Sequence, residues 1–189
     1  METKSIMIVG VGGQGTLLAS RIIGHALTGK GYDVKLSEVH GMSQRGGSVV
    51  TYVKYGEKVY SPLVDLGEAD CILSFEKLEA ARFLPYLKKE GRLITNLQET
   101  LPMPVITGAM AYPQELTEKL EACCQLTAID ALSIAMEAGS PKAVNVVLVG
   151  VLSRYMDIPE AEWLSALEAT VPPKFLELNK KAFLLGRAA

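Results

Sequence analysis

Gly10, Gly12 and Gly15 stand in the spacing G-x-G-x-x-G, with Gly13 and Gln14 filling the last gap. Glycines at these positions permit a tight turn, and their missing side chains let a ligand approach the backbone. A helix that follows such a turn presents unpaired N–H groups to an anion. This is the arrangement of a dinucleotide phosphate cradle. That cradle also asks for an acid at the end of the second strand to hold a ribose, and Glu38 is placed for the role. A plainer use of the same glycines is to let the first helix pack closely on a sheet.

The next segment changes the balance. Glu38-Val39-His40-Gly41-Met42-Ser43-Gln44-Arg45-Gly46-Gly47-Ser48 is a second glycine-rich loop, lying where the adenosine of a dinucleotide would go. A plain dinucleotide fold has no reason to put a loop there. Its imidazole and guanidinium suit contact with an anionic or carbonyl-bearing group, or with a partner's backbone. His40, as donor or proton relay, and Arg45, as anion contact, are therefore the candidates for direct chemistry. An ordinary surface loop with a solvated Arg45 is the alternative.

Other polar residues have simpler readings. Asn145 interrupts an apolar helix face, and a buried amide must find partners, so it could tie that helix to the glycine turn. His25 belongs to a helix face and reads as structural. Asp130 reads as an N-cap. Glu76 and Glu79 suit the positive end of a helix rather than a catalytic carboxylate pair. Met42, Tyr52, Tyr55 and Tyr60 are residue types enriched at partner interfaces.

These residues need a scaffold, and the chain has the length for one. Its 189 residues are 49% hydrophobic and 21% charged, a globular balance sufficient for one well-buried domain spanning 1–189. A net charge of -2 excludes a general binder of nucleic-acid backbones. No apolar run is long enough for a signal-peptide core or a membrane span, which points to the cytoplasm. Cys71, Cys123 and Cys124 are too few for a four-iron cluster and do not form a disulfide framework. No metal site is expected.

Ile6–Val9 reads as a buried first strand, Thr16–Gly29 as an amphipathic helix and Tyr32–Ser37 as a second strand, the β-α-β opening of a parallel sheet. Val49–Lys54 and Lys58–Tyr60, around Gly56, predict a β-hairpin. Strands follow at Cys71–Ser74 and Arg92–Thr95, with a helix over Glu76–Leu87 between them. After the proline-rich Leu101–Pro104, Val105–Thr107 reads as a short strand, Pro113–Cys123 as a helix and Leu126–Ile129 as a last inner strand. Helices then run from Asp130 to Gly139, over Lys142–Met156, from Pro159 to Ala169 and over Phe175–Leu185, divided by Gly139, Ser140-Pro141 and Pro172-Pro173. The fold class is α/β: an open, Rossmann-like, mostly parallel sheet with a β-hairpin insertion and C-terminal helices.

The glycine turn and the segment Ser37–Val49, together with Glu68–Glu76, Glu79–Arg82, Ala128–Ala131, Asn145–Gly150 and Glu177–Gly186, carry a resemblance over nearly the whole chain. The chain resembles the gamma-type subunits of the 2-oxoacid:ferredoxin oxidoreductases. The His-Gly-Met-Ser-Gln lead-in to Arg45-Gly46-Gly47 points within them to the indolepyruvate ferredoxin oxidoreductase beta-subunit type. The resemblance implies a division of labour. Thiamine diphosphate, its magnesium and the iron–sulfur clusters sit on a large partner chain. The assembly decarboxylates a 2-oxoacid oxidatively, forms an acyl-CoA from coenzyme A and passes electrons to ferredoxin. This chain then binds no cofactor by itself; it shapes or covers a site through Gly10, Gly12, Gly13, Gln14, Gly15, Glu38, His40, Gly41, Gln44, Arg45, Gly46, Gly47, Ser48 and Asn145. Two other readings remain open: a stand-alone NAD(P)- or flavin-dependent oxidoreductase, and an assembly module without a ligand.

Overall fold

The computed structural model describes residues 3–41 and 46–189. In chain order the elements are β1 (Lys4–Val11), α1 (Thr16–Gly29), β2 (Asp33–His40), β3 (Ser48–Gly56), β4 (Ala69–Ser74), α2 (Lys77–Phe83), β5 (Leu87–Asn96) and α3 (Met103–Ile106). These are followed by α4 (Leu116–Cys123), β6 (Gln125–Ile129), α5 (Ala131–Ala138), α6 (Val144–Ser153), α7 (Glu160–Thr170) and α8 (Leu176–Ala188). Among the described residues six strands form one sheet in the order β2-β3-β1-β4-β5-β6. The pairs β1–β4, β4–β5 and β5–β6 are parallel, whereas β3 runs antiparallel to both of its neighbours.

The alternation along β1 explains the layering. Ile6 and Ile8 face one core, with α1 and the C-terminal helices α5–α8; Met7 and Val9 face a second core, with Ala80 of α2 and Leu120 of α4. All four β1 residues are essentially inaccessible, as a strand covered on both faces requires. Helix α6 is buried from Asn145 to Ser153, the property of a helix that is apolar all round. It crosses α8 at two glycines. A Cβ on Gly150 would lie 2.2 Å from the Phe183 carbonyl oxygen, and one on Gly186 would lie 2.2 Å from that of Val147.

Three sequence expectations are corrected. The hairpin is built by β2 and β3 around residues 41–47, in the register His40↔Val49, and Lys58–Tyr60 forms no strand. The reason is burial. On β3, Val49, Val50, Val53 and Tyr55 are all covered, so it takes an inner position; Leu36 and Val39 on β2 are about half exposed and fit an edge. The second strand of the β-α-β opening is therefore separated from the first by β3. Val105–Thr107 falls in and just after a single helical turn, with Val105 N–H bonded to the Pro102 carbonyl. A proline supplies no ladder donor, so two of them suit a turn better than a strand. Finally, β6 is an edge strand, not an inner one.

Candidate functional site

β1, β2, β4, β5 and β6 all end on one side of the sheet, and the glycine turn leaves β1 at that end. Gly13 and Gly15 have φ of 98° and 85°, which only glycine adopts without strain. Gln14 closes the turn on itself: its Oε1 accepts the Val11 N–H at 2.9 Å and its Nε2 donates to the Phe75 carbonyl at 3.3 Å. Gly10 makes room for that side chain, since a Cβ there would sit 2.6 Å from Gln14 Oε1. The turn is also laced to the hairpin. Gly12 N–H donates to the Gly47 carbonyl at 2.8 Å, and Gly46 N–H donates to the Gly12 carbonyl at 3.4 Å.

Asn145, 5% exposed, reaches the turn from the far side. Its Nδ2 donates to the Gly15 carbonyl at 3.3 Å and its Oδ1 accepts the Val146 N–H at 3.0 Å. Asn145→Ala would remove this bond and leave the half-buried Gly15 carbonyl with the Ala19 N–H at 3.2 Å, a loss of about 0.5–1.5 kcal/mol for one hydrogen bond. We expect a matching drop in the urea midpoint at unchanged m-value; a variant as stable as the parent would contradict the contact.

The turn stands between two clefts. One of about 260 Å³ is lined by Gly12, Gly13, Gly15, Thr16, Glu38 and His40. The other, about 490 Å³, is lined by Gly13, Gln14, Gly15, Gln98, Lys142 and Asn145. Glu38 accepts a hydrogen bond from Thr51 Oγ at 3.0 Å, and the exposed His40 ring has its Nδ1 3.2 Å from the Gly41 carbonyl. Ser48 turns away from the clefts to hydrogen-bond Glu79. Gln44 and Arg45 lie outside the described residues. The structure thus brings Gly10, Gly12, Gly13, Gln14, Gly15, Gly46, Gly47 and Asn145 into one bonded unit, with Glu38, His40 and Gly41 beside it. Sequence reasoning missed Gln98 and Lys142. The Ser140-Pro141 helix start that precedes Lys142 was the available signal, but nothing local said which way that helix points.

Two of the simpler readings are also met. Asp130 caps α5, accepting the Ser133 N–H at 3.1 Å, and its hydrogen bonds with Ser133 hold its carboxyl below the usual range. Glu76 caps α2.

The geometry does not suit a dinucleotide. The Gly12 N–H that would meet a pyrophosphate is already given to Gly47. Glu38 lies two strand spacings from β1, roughly 10 Å, rather than one. Nor do the described residues form a metal-binding cluster. No group of three or more His, Cys, Asp or Glu is placed to hold a metal ion among them. Cys71 is buried, and burial pushes its thiol up to about 12, so it is no ready thiolate ligand. With a thiol reagent the exposed Cys123 should react first and Cys71 roughly a hundredfold more slowly or only on unfolding; equal rates would contradict this placement. No helix among the described residues is long and apolar enough to cross a membrane.

The family model described as pyruvate ferredoxin/flavodoxin oxidoreductase matches residues 5–189. The chain belongs to that family. Within the pyruvate ferredoxin/flavodoxin oxidoreductase family it is similar to indolepyruvate oxidoreductase subunit IorB of Thermococcus kodakarensis, with 44% identity over 98% of this chain and 95% of that one. The subunit of the same name from Pyrococcus horikoshii is also 44% identical over the same shares. The crystal structure of the keto/oxoacid ferredoxin oxidoreductase gamma subunit from Geobacter sulfurreducens superposes with a TM-score of 0.73. It covers 98% of this chain and 99% of that one, at 24% identity, and so shares the fold. The chain is accordingly a small subunit of the 2-oxoacid:ferredoxin oxidoreductase class.

Proposed function

We propose that this chain is the small subunit of an indolepyruvate-type ferredoxin oxidoreductase, working in the cytoplasm as one domain docked on a large partner. Thiamine diphosphate, magnesium and the iron–sulfur clusters belong to the partner. With coenzyme A and oxidised ferredoxin, the assembly turns an aryl 2-oxoacid into an acyl-CoA, carbon dioxide and reduced ferredoxin. The face around Gly10–Gly15 meets the mouth of the partner's active site or the coenzyme A path. In this reading Glu38, His40, Gly41, Gln44, Arg45, Gly46, Gly47, Ser48 and Asn145 belong to that face, with His40 and Arg45 as the candidates for direct contact. The observation that carries the reading is the Gly12–Gly47 hydrogen bond, which converts a nucleotide-type turn into part of a two-loop surface.

The test is reconstitution. The chain should give no turnover alone and should restore coenzyme A-dependent reduction of ferredoxin by indolepyruvate when added to the large chain. His40→Ala and Arg45→Ala should each lower that turnover, Arg45→Ala by about tenfold, the loss of one charge-assisted contact. Full turnover with both variants would leave the chain as an assembly module without a direct contact. Full turnover by the large chain alone would remove the small-subunit role.

A further inference from the structure

Glu76 and Glu79 are two buried carboxylates, 1% and 4% exposed, that the proposed function leaves without a task. They stand one helical turn apart at the start of α2, at the same end of the sheet as the glycine turn. Capping the helix requires one bond, from the Glu79 N–H to Glu76 Oε2 at 2.9 Å. Each side chain does more. Glu76 Oε1 also accepts the Thr100 N–H at 3.2 Å and the Tyr112 hydroxyl at 2.9 Å. Burial and the facing Glu76 carboxylate push the Tyr112 hydroxyl up, so it remains protonated and donates. Glu79 faces the other way and accepts from Ser48 Oγ and, at 3.0 Å, from Arg82 Nε.

Their partners are the two segments that flank the turn. Thr100 and Tyr112 lie in the connection from β5 to α4, which has no charged residue from Thr100 through Gln114. Its Leu101, Met103, Ile106 and Met110 are 47%, 66%, 61% and 64% exposed, so packing does little to fix it. Gln98, at its start, lines the larger cleft. Ser48 opens β3 directly after Gly46 and Gly47, which are laced to Gly12. A carboxylate taken out of water is expensive unless fully hydrogen-bonded. Here two such groups at one helix start hold one flanking segment each.

We propose that Glu76 and Glu79 are positioning residues of the partner-facing surface, Glu76 setting the 97–112 connection and Glu79 setting the start of β3 at Gly46–Ser48. The proposal rests on the reading that this surface meets the large chain. Pre-setting both segments lowers the ordering cost of docking, so the expected loss is in assembly more than in the chemical step.

Each branch can be weakened by removing one hydroxyl, a change mild enough to keep the fold; the Thr100 N–H bond to Glu76 remains. In the isolated chain, Tyr112→Phe should speed amide hydrogen exchange in residues 97–112 and leave the hairpin protected; Ser48→Ala should do the reverse. In the reconstituted complex each variant should raise the concentration of small chain needed for half-maximal turnover by about tenfold, and with Tyr112→Phe, whose side chain is outside that face, the rate at saturation should change less than about twofold. Ser48→Thr, which keeps the hydroxyl, should restore the hairpin branch. Exchange unaltered in the targeted segment would overturn the positioning role, whatever the chain's function. Local loosening with an unchanged half-saturation would instead keep the positioning role and overturn the partner-facing assignment.

Discussion

Gly150→Ala is expected to lower the melting temperature by about 4–8 °C. The added Cβ would lie 2.2 Å from the Phe183 carbonyl oxygen and 2.9 Å from the Arg187 backbone nitrogen. Both obstacles are backbone, so no side chain can swing aside. Helices α6 and α8 would have to part, and overpacking of this kind costs about 3 kcal/mol or more. Alanine returns about 1 kcal/mol of helix propensity over glycine, which is too little to offset it. The net loss of about 2 kcal/mol corresponds to the stated shift for a chain of this size. Differential scanning calorimetry checks it, and Gly186→Ala should behave alike because it meets the same crossing from the other helix. A melting temperature equal to or above that of the parent would mean that the two helices do not touch there.

The largest effect on activity is expected from shortening the hairpin. Deleting Met42-Ser43-Gln44-Arg45 joins Gly41 to Gly46 and leaves a three-residue loop between His40 and Ser48, a length that antiparallel strands accept. The β2–β3 register does not depend on the deleted residues, so the fold should persist. Turnover with the large chain should fall about a hundredfold or more, since central contacts of an interface are worth about 3 kcal/mol together. The two readouts must be taken on the same sample. A folded variant with full turnover would show that the hairpin tip is an ordinary surface loop.

Much of the scaffold is legible in the sequence because it is local. The apolar run at Ile6–Val9, the glycines and the three- and four-residue apolar spacing after Thr16 predict β1, the turn and α1, and α1 spans Thr16–Gly29 as expected. Asp130 as a cap and Asn145 as a tie to the glycine turn also follow from residue type, since a cap and a buried amide each need a particular partner. What escaped is long-range. The strand between β1 and β2 is chosen by which strand has both faces apolar, and alternation along Asp33–His40 does not show that β3 will be inserted. The link between Ser48 and Glu79 spans 31 residues, and the one between Glu76 and Tyr112 spans 36, so no spacing rule could have paired them. The turn at Met103–Ile106 differs from the strand expected at Val105–Thr107 because β-branched residues there favour a strand while Pro102 and Pro104 forbid a ladder.

Long-range contacts also bear on what the glycine turn is for. Its G-x-G-x-x-G spacing belongs equally to a nucleotide cradle and to a two-loop docking surface, and the Gly12–Gly47 bond and the two-strand separation of Glu38 from β1 favour the second. Calorimetric titration of the isolated chain is the most direct test. Trp163 is fully buried among the C-terminal helices, so its fluorescence is a poor reporter of the clefts. Heat should be absent with NAD, NADP or FAD at about millimolar concentration. With the cofactor-bearing large chain, binding tighter than about 1 μM should be seen, and it should be lost when residues 42–45 are deleted. Micromolar binding of a dinucleotide, with no affinity for the large chain, would contradict the docking surface and return the turn to a cofactor of its own.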